Sequence, residues 1–312
     1  MMDLTNQVKR MADNMEKVLV GKRQTVELVL TALLAGGHVL IEDVPGVGKT
    51  SLANALAKTI GCGFTRIQFT PDTLPSDVTG VSVYNMQAGA FEYVKGAVMN
   101  NVILADEINR TSPKTQASLL EAMEEGQVTV DGVTYPLPKP FMVIATQNPV
   151  DYLGTYNLPE AQLDRFMMKL SIGYPNQEDE RAMLARYVNA EPLAELSAVV
   201  SGEEIQEMQK AVRAVGIHPD IMEYIVQIVA STRKSRALSL GASPRASIAL
   251  AHAAQANAVL HGRDFVIPDD VKFVLGPVLY HRFVLTPEAR LANQTPKTIL
   301  DELLTKIKVP VL

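Results

Sequence analysis

The chain has 312 residues, 47% hydrophobic and 20% charged, and its 29 lysines and arginines against 34 aspartates and glutamates leave a formal net charge of −5. That balance describes a globular protein able to bury a large core in about two domains, and it disfavours nucleic acid as the default partner, a local basic strip being the exception such an average hides. No run of about 18 uncharged apolar residues suggests a membrane span, Met1–Asn6 does not open a secretory signal, and the single Cys62 can form no internal disulfide, so a cytoplasmic protein with a buried thiol is expected.

Apolar residues recur at helical spacing over Val8–Leu19 and Val26–Leu34, with Val20-Gly21-Lys22 as the turn between. Gly36-Gly37 gives way to His38-Val39-Leu40-Ile41, a buried-strand pattern, and Thr50–Ile60 is a helix stopped by Gly61. Val81–Tyr84 and Phe91–Val94 form one hairpin pattern. Asn101–Glu107 is a second buried strand, ending in Asp106 and Glu107. Ser112–Glu125 reads as a helix, Gln127–Tyr135 as a hairpin around Asp131-Gly132, and Phe141–Ala145 as a third strand running into Thr146-Gln147-Asn148. After Gly173–Asn176 the strand patterns stop. Helical ones follow over Gln177–Asn189, Ser201–Val215, Pro219–Ser231, Pro244–His261, Pro268–Tyr280 and Pro296–Lys306. The expected fold is α/β, with a parallel central sheet over residues 1–175 carrying two hairpin insertions, then an all-helical domain over 176–312.

The chemistry begins between the first strand and its helix. Gly46 and Gly48 let successive backbone N–H groups point at one spot, beside Pro45, Val47 and Ser51, and the helix opening at Lys49 adds its positive end there. Such a loop holds phosphates. Lys49 would reach the β- and γ-phosphates and the Thr50 hydroxyl a phosphate-bound Mg²⁺. The pattern G-x-x-x-x-G-K-[ST] calls for glycine at position 43, where Asp43 stands as a residue that tolerates unusual backbone angles. Polar strand ends converge on such a loop in an open parallel sheet. Asp106 is placed to hold the metal and Glu107 to orient the attacking water; a solvated acidic turn or helix cap is the alternative. Ser243-Pro244 suits a helix N-cap and first turn, and a cation at Arg245 is disfavoured there unless an anion accompanies it. The five histidines and lone cysteine have no metal-ligand spacing, and the glycosylation sequons at Asn109 and Asn293 are coincidences in a cytoplasmic chain.

The stretches Glu42–Thr50, Leu104–Arg110, Ala145–Pro149 and Leu158–Phe166 resemble the AAA+ ATPases, most closely their MoxR branch, along almost the whole chain. The resemblance implies Mg-dependent ATP hydrolysis by a ring, hexameric, that remodels or activates partner proteins, with von Willebrand factor A domain proteins among the partners. It makes Asp43 native to the loop, Asn148 the first sensor, Arg165 the finger that reaches a neighbour's nucleotide, and Arg245 a second sensor in the lid. It also places Val20 and Gly21 against the adenine. A salt bridge to Asp164 or Glu160 accounts for Arg165 as well, Arg245 suits an ordinary surface position, and Arg110 ranks below Arg165 as a finger. The hairpins match inserts that in related rings face the pore or partners. A nucleotide-gated scaffold with little turnover and a nucleic-acid motor are the competing functions; Glu107 counts against the first and the acidic charge against the second.

Overall fold

The computed structural model describes residues 2–148, 155–188 and 190–311; Pro149 and Asn189 lie outside the described residues. Two helices lead in, α1 (Met2–Glu16) and α2 (Arg23–Ala35). There follow β1 (Val39–Glu42), α3 (Lys49–Thr59), β2 (Phe64–Gln68), α4 (Pro75–Thr79), the hairpin β3 (Gly80–Asn85) and β4 (Ala90–Lys95), and β5 (Val102–Asp106). Next come α5 (Pro113–Glu125), the hairpin β6 (Gln127–Val130) and β7 (Val133–Pro136), β8 (Met142–Gln147), α6 (Glu160–Leu163) and β9 (Met168–Leu170). The rest comprises α7 (Gln177–Tyr187), α8 (Pro192–Glu195), α9 (Gly202–Arg213), α10 (Pro219–Arg233), β10 (Leu238–Leu240), α11 (Pro244–Leu260), α12 (Pro268–Leu279), β11 (Val284–Leu285), α13 (Pro287–Leu291) and α14 (Pro296–Leu304).

The main sheet is parallel throughout, in the order β2-β5-β8-β1-β9. Its middle strands are apolar on both sides because alternate residues enter different cores. Val39, Leu104 and Ile144 face one cluster, and Leu40, Ile103 and Val143 face the other. The first cluster runs on through α1, α2 and α3 into the C-terminal helices, where α2 packs on α9 and α11. Both expected hairpins form, the second turning through Asp131 and Gly132 with φ of 49° and 79°, the left-handed pair a tight two-residue turn requires.

Two strands carry little pattern of their own. β2 is a sheet-edge strand whose Thr65, Arg66 and Gln68 are not buried, and β9 is three residues long. The expectation that strands end at Gly173 is corrected by β10 and β11, which pair antiparallel among the C-terminal helices. They are too short for periodicity to reveal, and their partners lie far apart in the chain. Cys62 is half-buried rather than buried, and burial pushes its thiol up.

His38 pins the start of β1. Its Nδ1 accepts from the Val143 N–H at 3.0 Å, so its Nε2–H is free to donate to the Met123 carbonyl at 3.2 Å, and the buried ring is neutral. Burial lowers its pKa to about 4. The unfolded chain therefore binds a proton that the folded chain refuses between about pH 6.5 and 4, and stability present above that window is lost as pH falls through it. The urea-unfolding free energy should drop by on the order of 1–3 kcal/mol between pH 7 and pH 4.5, and His38→Gln should flatten part of that slope.

Candidate active site

The turn from β1 into α3 is held open by two left-handed glycines, Gly46 at φ 87° and Gly48, the α3 N-cap, at φ 97°. Any other residue would be strained at either place. Asp43 does not have positive φ, which corrects the reason expected for it. Its side chain acts instead as a staple: Oδ2 accepts from the N–H of Ile172 at 2.5 Å, the N–H of Gly173 at 3.1 Å and the Ser171 hydroxyl at 3.0 Å. The loop is thus tied to the segment leaving β9. Lys49 Nζ donates to the Asp43 carbonyl at 2.5 Å and to the Gln147 carbonyl at 3.5 Å. Burial lowers its pKa, and the carboxylates of Asp106, Asp43 and Glu107 pull the other way.

Strand ends bring the acidic pair to this loop. A cavity of about 380 Å³ is lined by Pro45, Gly46, Gly48, Lys49, Thr50 and Ser51 on one side and by Asp106, Glu107 and Asn148 on the other. The Thr50 hydroxyl makes no hydrogen bond among the described residues. Glu107 has φ 57°, a left-handed conformation costing a non-glycine residue about 1–2 kcal/mol. Thr146 holds it there. The buried Thr146 Oγ1 accepts from the Glu107 N–H at 2.9 Å and donates to Asp106 Oδ1 at 2.6 Å, so one hydroxyl orients both acidic residues.

Two further residues on β2 were not legible as site residues. Arg66 Nη2 donates to Asp106 Oδ2 at 2.6 Å, and Gln68 Nε2 donates to Glu107 Oε2 at 3.0 Å. Arg110 Nε lies 3.3 Å from Glu107 Oε2 within the same chain. Register explains the Gln68 contact, because Gln68 lies beside Asp106 in the parallel pair β2–β5.

A second cavity, of about 320 Å³, shares Gly46, Gly48 and Ser51 with the first. Its other walls include Val20, Val47, Tyr174, Leu184 and Tyr187. Gly21 has φ 71°, which strains any side chain, and a Cβ there would lie 2.1 Å from the Asp179 carboxylate and push it away from the turn. Lys22 Nζ closes the arrangement by donating to the Ile172 and Tyr174 carbonyls at 2.8 and 2.9 Å. A polar chamber thus adjoins an apolar one with aromatic walls.

Arg165 and Arg245 are elsewhere. Both line a third cavity, of about 250 Å³, with Gly36, Gly37 and His38, which precede β1, whereas the phosphate loop follows it. The strand between them spans about 13 Å. Arg165 pairs with Glu124 at 3.0 Å rather than with Asp164 or Glu160, and Glu124 also pairs with Arg245. The anion that explains a cation at the start of α11 is therefore a carboxylate of the same chain. Ser243 occupies the N-cap position without capping; its hydroxyl donates to Asp164 Oδ2 at 2.8 Å. Among the described residues no group of three or more histidine, cysteine or carboxylate side chains has metal-binding geometry.

Comparison with known proteins gives this geometry a context. Residues 38–168 match the model of the ATPase family associated with various cellular activities (AAA), and residues 230–303 match the AAA lid domain. The chain is 54% identical to YeaC of Bacillus subtilis (strain 168), covering 99% of this chain and 97% of that one. It is 40% identical to Chaperone MoxR1 of Mycobacterium tuberculosis (strain ATCC 25618 / H37Rv), covering 97% and 82%. A crystal structure ascribed to an ATPase of Cytophaga hutchinsonii ATCC 33406 superposes with a TM-score of 0.93 at 41% identity, covering 99% and 97% of the two chains.

The Thr146 hydroxyl is open to a direct test. Thr146→Val should slow ATP hydrolysis about 10- to 100-fold while leaving the affinity for a fluorescent ATP analogue within a few-fold, and Thr146→Ser should recover most of the rate.

Proposed function

This chain belongs to the AAA ATPase family, in its MoxR branch, and on that premise we propose that it hydrolyses Mg-ATP within a head-to-tail ring, each site being completed by Arg165 and Arg245 of a neighbouring copy. The observation that carries the shared site is the position of those arginines at the opposite end of β1 from their own phosphate loop. A heterologous contact of this kind presents one end of each copy to the other end of the next, and it closes when the rotation is right; a hexamer is the expected closure.

In this reading the triphosphate lies in the polar chamber and the adenine in the apolar one against Val20 and the Gly21 turn. Lys49 exchanges its two backbone carbonyls for β- and γ-phosphate oxygens, and the N–H groups of the Pro45–Thr50 loop take the rest. Thr50 and Asp106 would hold Mg²⁺, which offsets phosphate charge when bound; a free hydroxyl and a carboxylate in one chamber are the hard oxygen donors that ion prefers. Glu107 accepts the proton of the attacking water, Asn148 orients that water or the γ-phosphate, and the neighbour's guanidiniums offset the charge that develops on the transferred group. Gln68 and Arg66 hold the two acidic residues and must release them for this to proceed.

Residues 1–175 are read as the nucleotide core and 176–312 as the lid. Hydrolysis would change how the lid and the hairpins are presented to a partner. We read the output as chaperone-like remodelling of proteins, with von Willebrand factor A domain proteins among the partners, in the cytoplasm; the name of the relative Chaperone MoxR1 supports the first part. The β3–β4 hairpin suits partner contact because Val81, Val83, Met86 and Phe91 are exposed on it. Among the described residues no helix is long and apolar enough to cross a membrane.

Glu107→Gln should bind ATP and retain it unhydrolysed in a filter-binding assay. Arg165→Ala should lose on the order of 10³-fold in turnover, and mixing it with Lys49→Ala subunits should restore part of the rate. Rates that stay low in the mixture and do not depend on protein concentration would point to a site complete in one chain. Deletion of residues 81–94 should spare nucleotide hydrolysis yet abolish partner remodelling, and retained remodelling would refute the hairpin's part.

A further inference from the structure

Glu124 stands in the last turn of α5, where unsatisfied carbonyls make a carboxylate unfavourable. Arg245 stands in the first turn of α11, where exposed N–H groups make a cation unfavourable. The two misplaced charges meet: Glu124 Oε1 accepts from Arg245 Nη2, while Oε2 is 3.0 Å from Arg165 Nε. One carboxylate therefore joins a guanidinium of the nucleotide core to a guanidinium of the C-terminal helices. Arg245 spends a single N–H on it and Arg165 meets it as an ion pair, and no other hydrogen bond holds either guanidinium among the described residues.

The surroundings leave Glu124 alone in this task. The other carboxylate of the third cavity, Asp164, is engaged by the buried Arg282 Nε at 2.6 Å and by the Ser243 hydroxyl at 2.8 Å. Burial, and after it the nearby charge of Arg245, disfavours the protonated form of Arg282, whereas Asp164 favours it. Without Glu124, Arg165, Arg245 and Arg282 would repel one another across one small cavity, and the two outer side chains, 30% and 46% exposed, would turn to solvent. An ordinary exposed ion pair is worth under about 1 kcal/mol and organises nothing; a carboxylate shared by two cations fixes the distance between them.

We propose that Glu124 is a positioning residue that sets Arg165 and Arg245 as one pre-organised pair, so that the γ-phosphate of a neighbouring subunit meets both guanidiniums together. This rests on the shared-site reading above. Glu124 holds one side of each guanidinium and leaves its other N–H groups for an incoming anion, so less ordering remains to be done when the anion arrives.

The test uses the full-length protein as Glu124→Gln, which keeps the side-chain shape, with Arg165→Ala and the double variant alongside. Glu124→Gln should lower kcat about 10- to 100-fold with unchanged affinity for a fluorescent ATP analogue and an unchanged unfolding midpoint. The double variant should be no slower than Arg165→Ala alone, because both changes disable one unit. Mixing Glu124→Gln with Lys49→Ala subunits, whose arginine pairs are intact, should recover part of the rate. A wild-type rate for Glu124→Gln beside a slow Arg165→Ala, or a double variant that shows the product of the two single losses, would overturn the role of Glu124 alone. A wild-type rate for Arg165→Ala would overturn the shared site and the proposal with it.

Discussion

Ile41 of β1 lies beside Thr146 of β8, Ala105 of β5 beside Ala145, and Gln68 of β2 beside Asp106, all in parallel register. Because these strands end at a common level, the phosphate loop, the acidic pair and the polar end of β8 share one edge of the sheet, and the chamber between them follows from that register. A slip of one residue in any pair would turn apolar side chains to the wrong core and carry the polar ends out of reach. The same alternation fills both cores with residues such as Leu40 and Ile41, so the constraint that stabilises the fold is also the one that aligns the site.

Within that frame the polar contacts divide into permanent and exchangeable ones. Asp43 accepts three hydrogen bonds from residues 171–173, and Thr146 bridges Asp106 and the strained Glu107 backbone. These use backbone groups or hydroxyls and define geometry. Lys49 on two carbonyls, Arg66 on Asp106 and Gln68 on Glu107 satisfy groups that a bound nucleotide would engage differently. The site is held in shape by the first set, and in the proposed function the second supplies the groups that rearrange.

The C-terminal helices are fastened near Arg165. Arg282 is buried and donates to Asp164 and to the carbonyls of Phe166 and Met167, while Ser243 reaches Asp164 from the start of α11. Asp164 and Glu124 are thus adjoining clamps between the sheet domain and the lid. In the proposed ring, any shift of the lid would be felt at Arg165 directly, which gives nucleotide state a short path to the subunit interface.

Much of this was legible in the sequence, and for local reasons. Buried-strand runs, glycine and proline punctuation and the spacing of Gly46, Gly48 and Lys49 determined the α/β order, the hairpin turns and the phosphate loop, since each depends on neighbours a few residues away. The edge strand β2, the three-residue β9 and the β10–β11 pair were not legible, because what makes them strands is a partner distant in the chain. The same limit applied to the site. Nothing local marks Thr146 as the brace of the acidic pair, Gln68 as the partner of Glu107, Asp43 as a staple or Glu124 as the counter-ion of two arginines. Those roles arise where separate segments meet, and only the tertiary structure decided that Arg165 and Arg245 stand together, at the far end of β1 from the loop they resemble partners of.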